Sequence, residues 1–222
     1  KEENRKEEFM KIEIKNVSKK FKDINALENV SMTLESGKIY GFVGHNGSGK
    51  TVLLKLICAF LEPSTGEILF DGVNVIKENS FPPSTRALIE RPNFLSDLTG
   101  KENLELLARI QNKIGEKEIE ETIEKVGLKQ VENRLYYKYS LGMKQKLGIA
   151  QVLMENPDVL ILDEPFNGLD EDSAKNIREI LLKEKEQGKL IILATHIKED
   201  MELLCDEFYK FNDGIVTKEE KK

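Results

Sequence analysis

Eight residues, Gly44-His45-Asn46-Gly47-Ser48-Gly49-Lys50-Thr51, restrict what this chain can fold into more than any other stretch. They follow the apolar run Ile39-Tyr40-Gly41-Phe42-Val43 and precede Val52-Leu53-Leu54-Lys55-Leu56-Ile57. The order is strand, glycine-rich loop, helix, the setting in which G-x-x-x-x-G-K-[ST] binds phosphate. Gly44, Gly47 and Gly49 can take positive φ and let the backbone close on a ligand, so that successive N–H groups face it. A helix opening near Lys50 adds the positive end of its dipole. Lys50 can reach the β- and γ-phosphates, and the Thr51 hydroxyl can hold Mg²⁺. Gly44, Asn46, Gly47, Ser48, Gly49, Lys50 and Thr51 are therefore the candidate residues for binding a nucleoside triphosphate.

The 222 residues leave room for one sizeable domain, or one domain with an insertion. No apolar run approaches the roughly 18 residues that span a bilayer. No signal-peptide pattern is read at the start, so any membrane role is expected to come through a partner. A net charge of -6 and pI near 5.3 argue against a general nucleic-acid binder. Cys58 and Cys205 lack metal-ligand spacing and read as reduced, buried thiols of a cytoplasmic protein.

Residues 1–9 are almost wholly charged and read as a mobile tail or an added segment, with Met10 as the natural start. Ile12 and Ile14 alternate with charged neighbours, as in a half-buried strand. A turn at Asp23-Ile24-Asn25 leads to a second strand near Val30–Leu34, and a helix carrying Leu53, Leu54, Ile57 and Leu61 stops before Glu62. Gly66 to Val75 alternates again, with Asp71-Gly72 as a turn. Character changes near Pro82-Pro83, and from Thr99 to Gln130 lysine and glutamate recur at helical period around Leu104, Leu107, Ile119, Ile123 and Val126. Val159–Leu162 and Leu190–Leu193 are short continuous apolar runs of the kind found in central parallel strands. The reading is one unit: an α/β core over 10–87 and 157–216, interrupted by a helical insertion over 88–156.

Val159–Leu162 ends in Asp163-Glu164-Pro165. Carboxylates at the carboxyl end of a central strand sit where open α/β sheets bind ligands. Asp163 is placed to support the Mg²⁺ that Thr51 contacts, and Glu164 to take a proton from a water attacking the γ-phosphate. His196 ends the other central strand and is expected near the same phosphates; His45 is given no catalytic role.

The phosphate loop, Tyr139-Ser140-Leu141-Gly142-Met143-Lys144-Gln145, Asp163-Glu164, Asn167-Gly168-Leu169-Asp170 and His196 occur in the order of the ATP-binding-cassette ATPases, which the chain resembles over about residues 11 to 215. The stretch around Ser140 discriminates, because GTPases, kinases and helicases with phosphate loops lack it. That resemblance implies a P-loop NTPase core with a mostly parallel central sheet, an antiparallel β subdomain and an inserted helical subdomain. It implies ATP and Mg²⁺ as ligands, with Ser140 and Gly142 completing the site of an opposite subunit in a head-to-tail dimer, either homodimer or heterodimer with a related ATPase. Asp170 joins the nucleotide-binding set, and Phe21 matches the aromatic that stacks on adenine. Read from its residues, Ser140 is also an N-cap for a helix carrying Leu147, Ala150 and Leu153, and Phe21 could equally be a core ring.

Leu141 and Met143 depart from the family's usual Gly and Gln. Glu90, in Leu88-Ile89-Glu90-Arg91-Pro92, holds the place of the usual glutamine, which makes it a third candidate contact for Mg²⁺ and a γ-phosphate sensor with His196. These departures, with Leu98–Leu104, resemble the ATPases of bacitracin-resistance and lantibiotic self-protection exporters. The expected function is ATP hydrolysis driving a separate polytopic permease, an exporter of antimicrobial peptides or drugs, from the cytoplasmic face of the membrane, without nucleic acid. A nucleotide-gated module that signals to a membrane or sensor partner without moving a substrate would carry the same motifs.

Overall fold

A computed structural model describes residues 10–219; the expectation for residues 1–9 lies outside them. Three strands, β1 (Lys11–Phe21), β2 (Ile24–Glu35) and β4 (Thr65–Phe70), form an antiparallel sheet in the order β2-β1-β4. Ile12, Ile14 and Val17 point into the core, and irregularities in the ladder after Ile14 twist the strand. The first hairpin is tighter than expected. Lys22 adopts φ 50°, and Ile24 already pairs with Phe21, so the second strand starts six residues before Val30. A two-residue turn then closes β4, because Phe70 and Val73 exchange both backbone hydrogen bonds around Asp71 and Gly72.

The second sheet has six strands in the order β5-β6-β7-β3-β8-β9. β3 (Ile39–Val43), β5 (Thr85–Leu88), β6 (Val159–Asp163), β7 (Leu190–Thr195) and β8 (Glu207–Asn212) are parallel to their neighbours, and β9 (Ile215–Glu219) closes the edge antiparallel. This is the α/β fold the resemblance implies. β5, β8 and β9 have no counterpart among the expected strands. β6 and β7 are buried on both faces, and period 2 divides their side chains between two cores. Leu160, Leu162, Ile191 and Leu193 face a helical layer; Val159, Ile161, Leu190 and Ile192 face α1 (Lys50–Ile57) and the three-stranded sheet.

The helical layer comprises α2 (Gly100–Gln111), α3 (Glu116–Lys125), α4 (Leu141–Leu153), α5 (Glu171–Glu186) and α6 (Lys198–Leu204). Leu104, Ile119, Ile123 and Val126 lie in the same buried cluster as the sheet residues Leu160 and Leu162. α2 opens on a capping box between Thr99 and Glu102. α1 ends earlier than expected, leaving Leu61 outside it. Ala59 takes φ 57° while the N–H groups of Ala59 and Phe60 donate to the carbonyls of Leu56 and Lys55, a Schellman closure. Cys58 and Cys205 are buried and form no disulfide, as expected, and burial pushes Cys58 up to about 12.

Candidate functional site

The phosphate loop leaves the end of β3 and enters α1 through two left-handed residues, Gly47 at φ 84° and Gly49 at φ 108°. Gly44 does not use the positive φ open to it. Its glycine is required by space: a Cβ there would lie 2.4 Å from the Phe211 carbonyl oxygen. Gly49 is restricted twice, since its Cβ would also meet the Ala26 carbonyl at 2.6 Å. With these residues in place Lys50 is buried and donates to the carbonyls of Gly44 (2.6 Å) and His45 (3.1 Å). Burial lowers its pKa, while the carboxylates of Glu164 and Asp163 act in the opposite sense. Ser48 is buried, and its Oγ has no hydrogen-bond partner, which leaves its hydroxyl able to bond a ligand oxygen.

β6 runs parallel beside β7 and delivers Asp163 to Thr51, whose hydroxyl donates to Asp163 Oδ2 at 2.7 Å across 112 residues of sequence. Burial raises the pKa of Asp163, opposed by the Thr51 hydrogen bond, by Lys50 and by the Glu90 backbone N–H. Among the described residues no three His, Cys, Asp or Glu side chains converge on a metal-sized site. Thr51 and Asp163 nonetheless fit Mg²⁺, which is commonly held by one or two protein oxygens together with substrate phosphates.

Glu164 follows at φ 50°, an uncommon conformation for glutamate that costs on the order of 1–2 kcal/mol. It is held there from three sides. Its N–H donates to the Ala194 carbonyl (2.7 Å), and its own carbonyl accepts from Gln145 Nε2 (3.2 Å), which also donates to Pro165 (3.1 Å). Its Oε1 lies 2.9 Å from Nδ1 of His196, just past the end of β7. Its Oε2 is buried and without a partner.

The other candidates sit further out. Glu90 also has a positive φ, 63°, and its backbone touches Asp163; its carboxylate pairs instead with Lys55 on α1 at 2.5 Å. Phe21 ends β1 with its ring 42% exposed under the Lys19 ammonium, so it is not a core residue. Asn46 is exposed, and its carbonyl meets His45 Nδ1, whose other nitrogen faces Asp213. Ser140 caps α4 by accepting from the Met143 N–H, and its residue is exposed. Gly142 packs on the Gly168 carbonyl, where a Cβ would come within 2.7 Å. Asp170 caps α5 by accepting from the Ser173 N–H, which holds its carboxyl below the usual range.

Sequence reading missed Gln145 and Lys55. Gln145 is a buried amide, five positions after the cap of a helix that is otherwise apolar on that side. Lys55 is one lysine among many, and only the folded chain sets it beside Glu90.

The ABC transporter family model matches residues 27–167. The uncharacterised ABC transporter ATP-binding protein YybJ of Bacillus subtilis is 41% identical over 210 residues, covering 95% of this chain and 96% of that protein. The bacitracin transport ATP-binding protein BcrA of Enterococcus faecalis is 36% identical, over 94% of this chain and 68% of its own length. The lantibiotic transport ATP-binding protein SrtF of Streptococcus pyogenes is 32% identical, over 95% and 90%. The dimeric structure of MJ0796, a bacterial ABC transporter cassette, superimposes with a TM-score of 0.84 at 25% identity, over 95% of this chain and 99% of that one.

Proposed function

The chain belongs to the ABC transporter family as one of its ATP-binding, ATP-hydrolysing members, and from that premise we propose that it powers a separate membrane permease which exports amphipathic antimicrobial peptides. The names of BcrA and SrtF support the cargo class. Among the described residues no helix is long and apolar enough to cross a membrane, in keeping with a permease on another chain and a peripheral place at the inner face of the membrane.

Hydrolysis rests on the chain's own groups. The N–H groups of residues 44–51 and the Lys50 ammonium would bind the β- and γ-phosphates and offset charge as it develops. Thr51 and Asp163 would hold Mg²⁺, which when bound neutralises phosphate charge. Glu164 would accept the proton of the attacking water, and His196 would fix the carboxylate through Oε1. One observation carries this assignment: Glu164 Oε2 is buried, unpaired and attached to a backbone held in a strained conformation. Ser140 and Gly142 would cap the ATP of a second subunit, in a dimer of like or related chains. Closure of that dimer would be relayed to the permease through the helices between residues 88 and 156.

Glu164→Gln tests the site and the dimer together. The amide cannot take the proton, so the variant should bind ATP, hydrolyse it poorly and elute as a dimer in Mg-ATP on size-exclusion chromatography. A monomer at saturating nucleotide, or wild-type turnover, rejects the assignment. The transport role is tested by co-purification with a polytopic membrane protein and stimulation of ATPase by an amphipathic peptide antibiotic; failure of both rejects the exporter.

A further inference from the structure

Arg178, on α5, lies outside every motif that points to nucleotide chemistry, yet it touches both chain segments that carry the Glu164–His196 pair. Its Nη2 and Nε donate to Asp200 Oδ1 at 2.7 and 3.1 Å. Asp200 is 3% exposed on α6, which begins two residues after His196 and has no side-chain cap at its start. The guanidinium carbon stands 5.4 Å from the centre of the Phe166 ring, two residues after Glu164. Nη1 reaches Glu171 at 3.0 Å, which fixes the fork's remaining edge.

A guanidinium suits this position as no other side chain does. It is planar, so its face can lie on an aromatic ring while its edge donates in plane to a carboxylate. The two contacts lock together the starts of two excursions, one leaving β6 through Glu164 to Phe166, the other leaving β7 through His196 to Asp200. The 2.9 Å contact between His196 and Glu164 spans the gap between those excursions. Both residues of that contact lie past their strand ends; the Glu164 backbone is tied to Ala194 and Gln145, and the His196 ring is left to be placed by the segment that leads to Asp200.

We propose that Arg178 is a positioning residue for hydrolysis, one that holds His196 against Glu164 by clamping Asp200 to Phe166. The inference rests on the assignment of Glu164 and His196 given above. The contacts of Arg178 are to Asp200, Glu171 and Phe166, so its effect passes through His196 and appears in turnover, not in ATP affinity.

A double-mutant cycle reads this directly, with kcat and KM for ATP measured in wild type, Arg178→Met, His196→Ala and the double variant. Arg178→Met keeps most of the volume and should lower kcat by about tenfold while KM stays within about threefold. In the His196→Ala background the same substitution should cost less than about twofold, because the residue it positions is gone. Arg178→Lys keeps the charge without the flat fork and should recover only part of the loss. An equal loss in both backgrounds would mean that Arg178 acts on the fold alone and overturns the inference, as would a raised KM at unchanged kcat. If Arg178→Met does not fold, Asp200→Asn, nearly isosteric, enters the same cycle under the same criteria. Should His196→Ala itself turn over at the wild-type rate, the role given to His196 fails, and this inference with it.

Discussion

Lys50 shows how one side chain is prepared for a ligand. Its ammonium is buried on two loop carbonyls, and burial weakens its hold on the proton, so the charge gains from an anionic partner at short range. Lys50→Ala should therefore reduce ATP hydrolysis by far more than tenfold; a loss within about tenfold, near 1.4 kcal/mol, would remove Lys50 from the phosphate site. Glu90 poses the opposite question, because its carboxylate is already occupied. The pair with Lys55 is largely solvent-exposed on the glutamate side, and such pairs contribute about 0–1 kcal/mol, little enough for a divalent cation to displace. If Glu90 contacts Mg²⁺, Lys55 and the metal would compete for one carboxylate. Glu90→Gln should require more free Mg²⁺ for half-maximal hydrolysis, and Lys55→Met less. Superimposable Mg²⁺ titrations of the three proteins would show that this carboxylate never meets the metal.

At the scale of the element, what counts is how a strand hands the chain to a helix. Gly44 and Gly47 sit three residues apart and are glycine for different reasons. A methyl at Gly44 would collide with the backbone of β8, which cannot move without opening the β3–β8 ladder. A methyl at Gly47 meets nothing within 4 Å and costs only the left-handed conformation, about 1 kcal/mol. Gly44→Ala should accordingly lower stability by at least about 2 kcal/mol in urea without nucleotide, twice the Gly47→Ala loss. Equal losses would contradict the close approach to Phe211. α4 illustrates a second kind of hand-off. Ser140 is used locally, as a cap, while Gln145 one turn later reaches Glu164 and Pro165, so the helix that opens at Ser140 also braces the backbone of Glu164, the proposed base.

Across the whole molecule a polar cluster built on the buried pair Glu184 and Lys189 joins the helical layer to the sheet. Glu184 on α5 accepts from Lys125 at the end of α3 (2.5 Å) and from Lys189 just before β7, and Lys189 also reaches Asn156. Burial alone would raise the Glu184 pKa; the lysine hydrogen bonds outweigh it and hold the carboxyl below the usual glutamate range. A depressed folded pKa contributes stability above the unfolded value, near 4.3, and that contribution is lost as pH falls through the folded value. Glu184→Gln should then cost about 3 kcal/mol at neutral pH, leaving Lys189 buried without its counter-charge. The gap from wild type should close below about pH 4. Urea unfolding at a series of pH values measures it, and a gap of constant size would show that Glu184 is not the group responsible.

The sequence by itself determined what local spacing can encode. A strand, the phosphate loop and a helix had to follow one another at 39–57, Val159–Leu162 and Leu190–Leu193 had to be buried on both faces, and Ser140 had to begin a helix, because periodicity, glycine spacing and capping chemistry act within a few residues. β5 escaped because Thr85-Arg86-Ala87-Leu88 is short and only partly buried even with β6 beside it, and β9 because its exposed residues carry no apolar face. The early end of α1 depends on an alanine in a conformation its identity does not announce. Only the tertiary structure decided that Thr51 meets Asp163, that Glu90 turns to Lys55, that Gln145 supports Glu164 and that Arg178 joins Phe166 to Asp200. Each of those contacts closes a loop between residues remote in sequence. Such closure is set by the order of strands in the sheet and the packing of helices upon it, which no window of neighbouring residues contains.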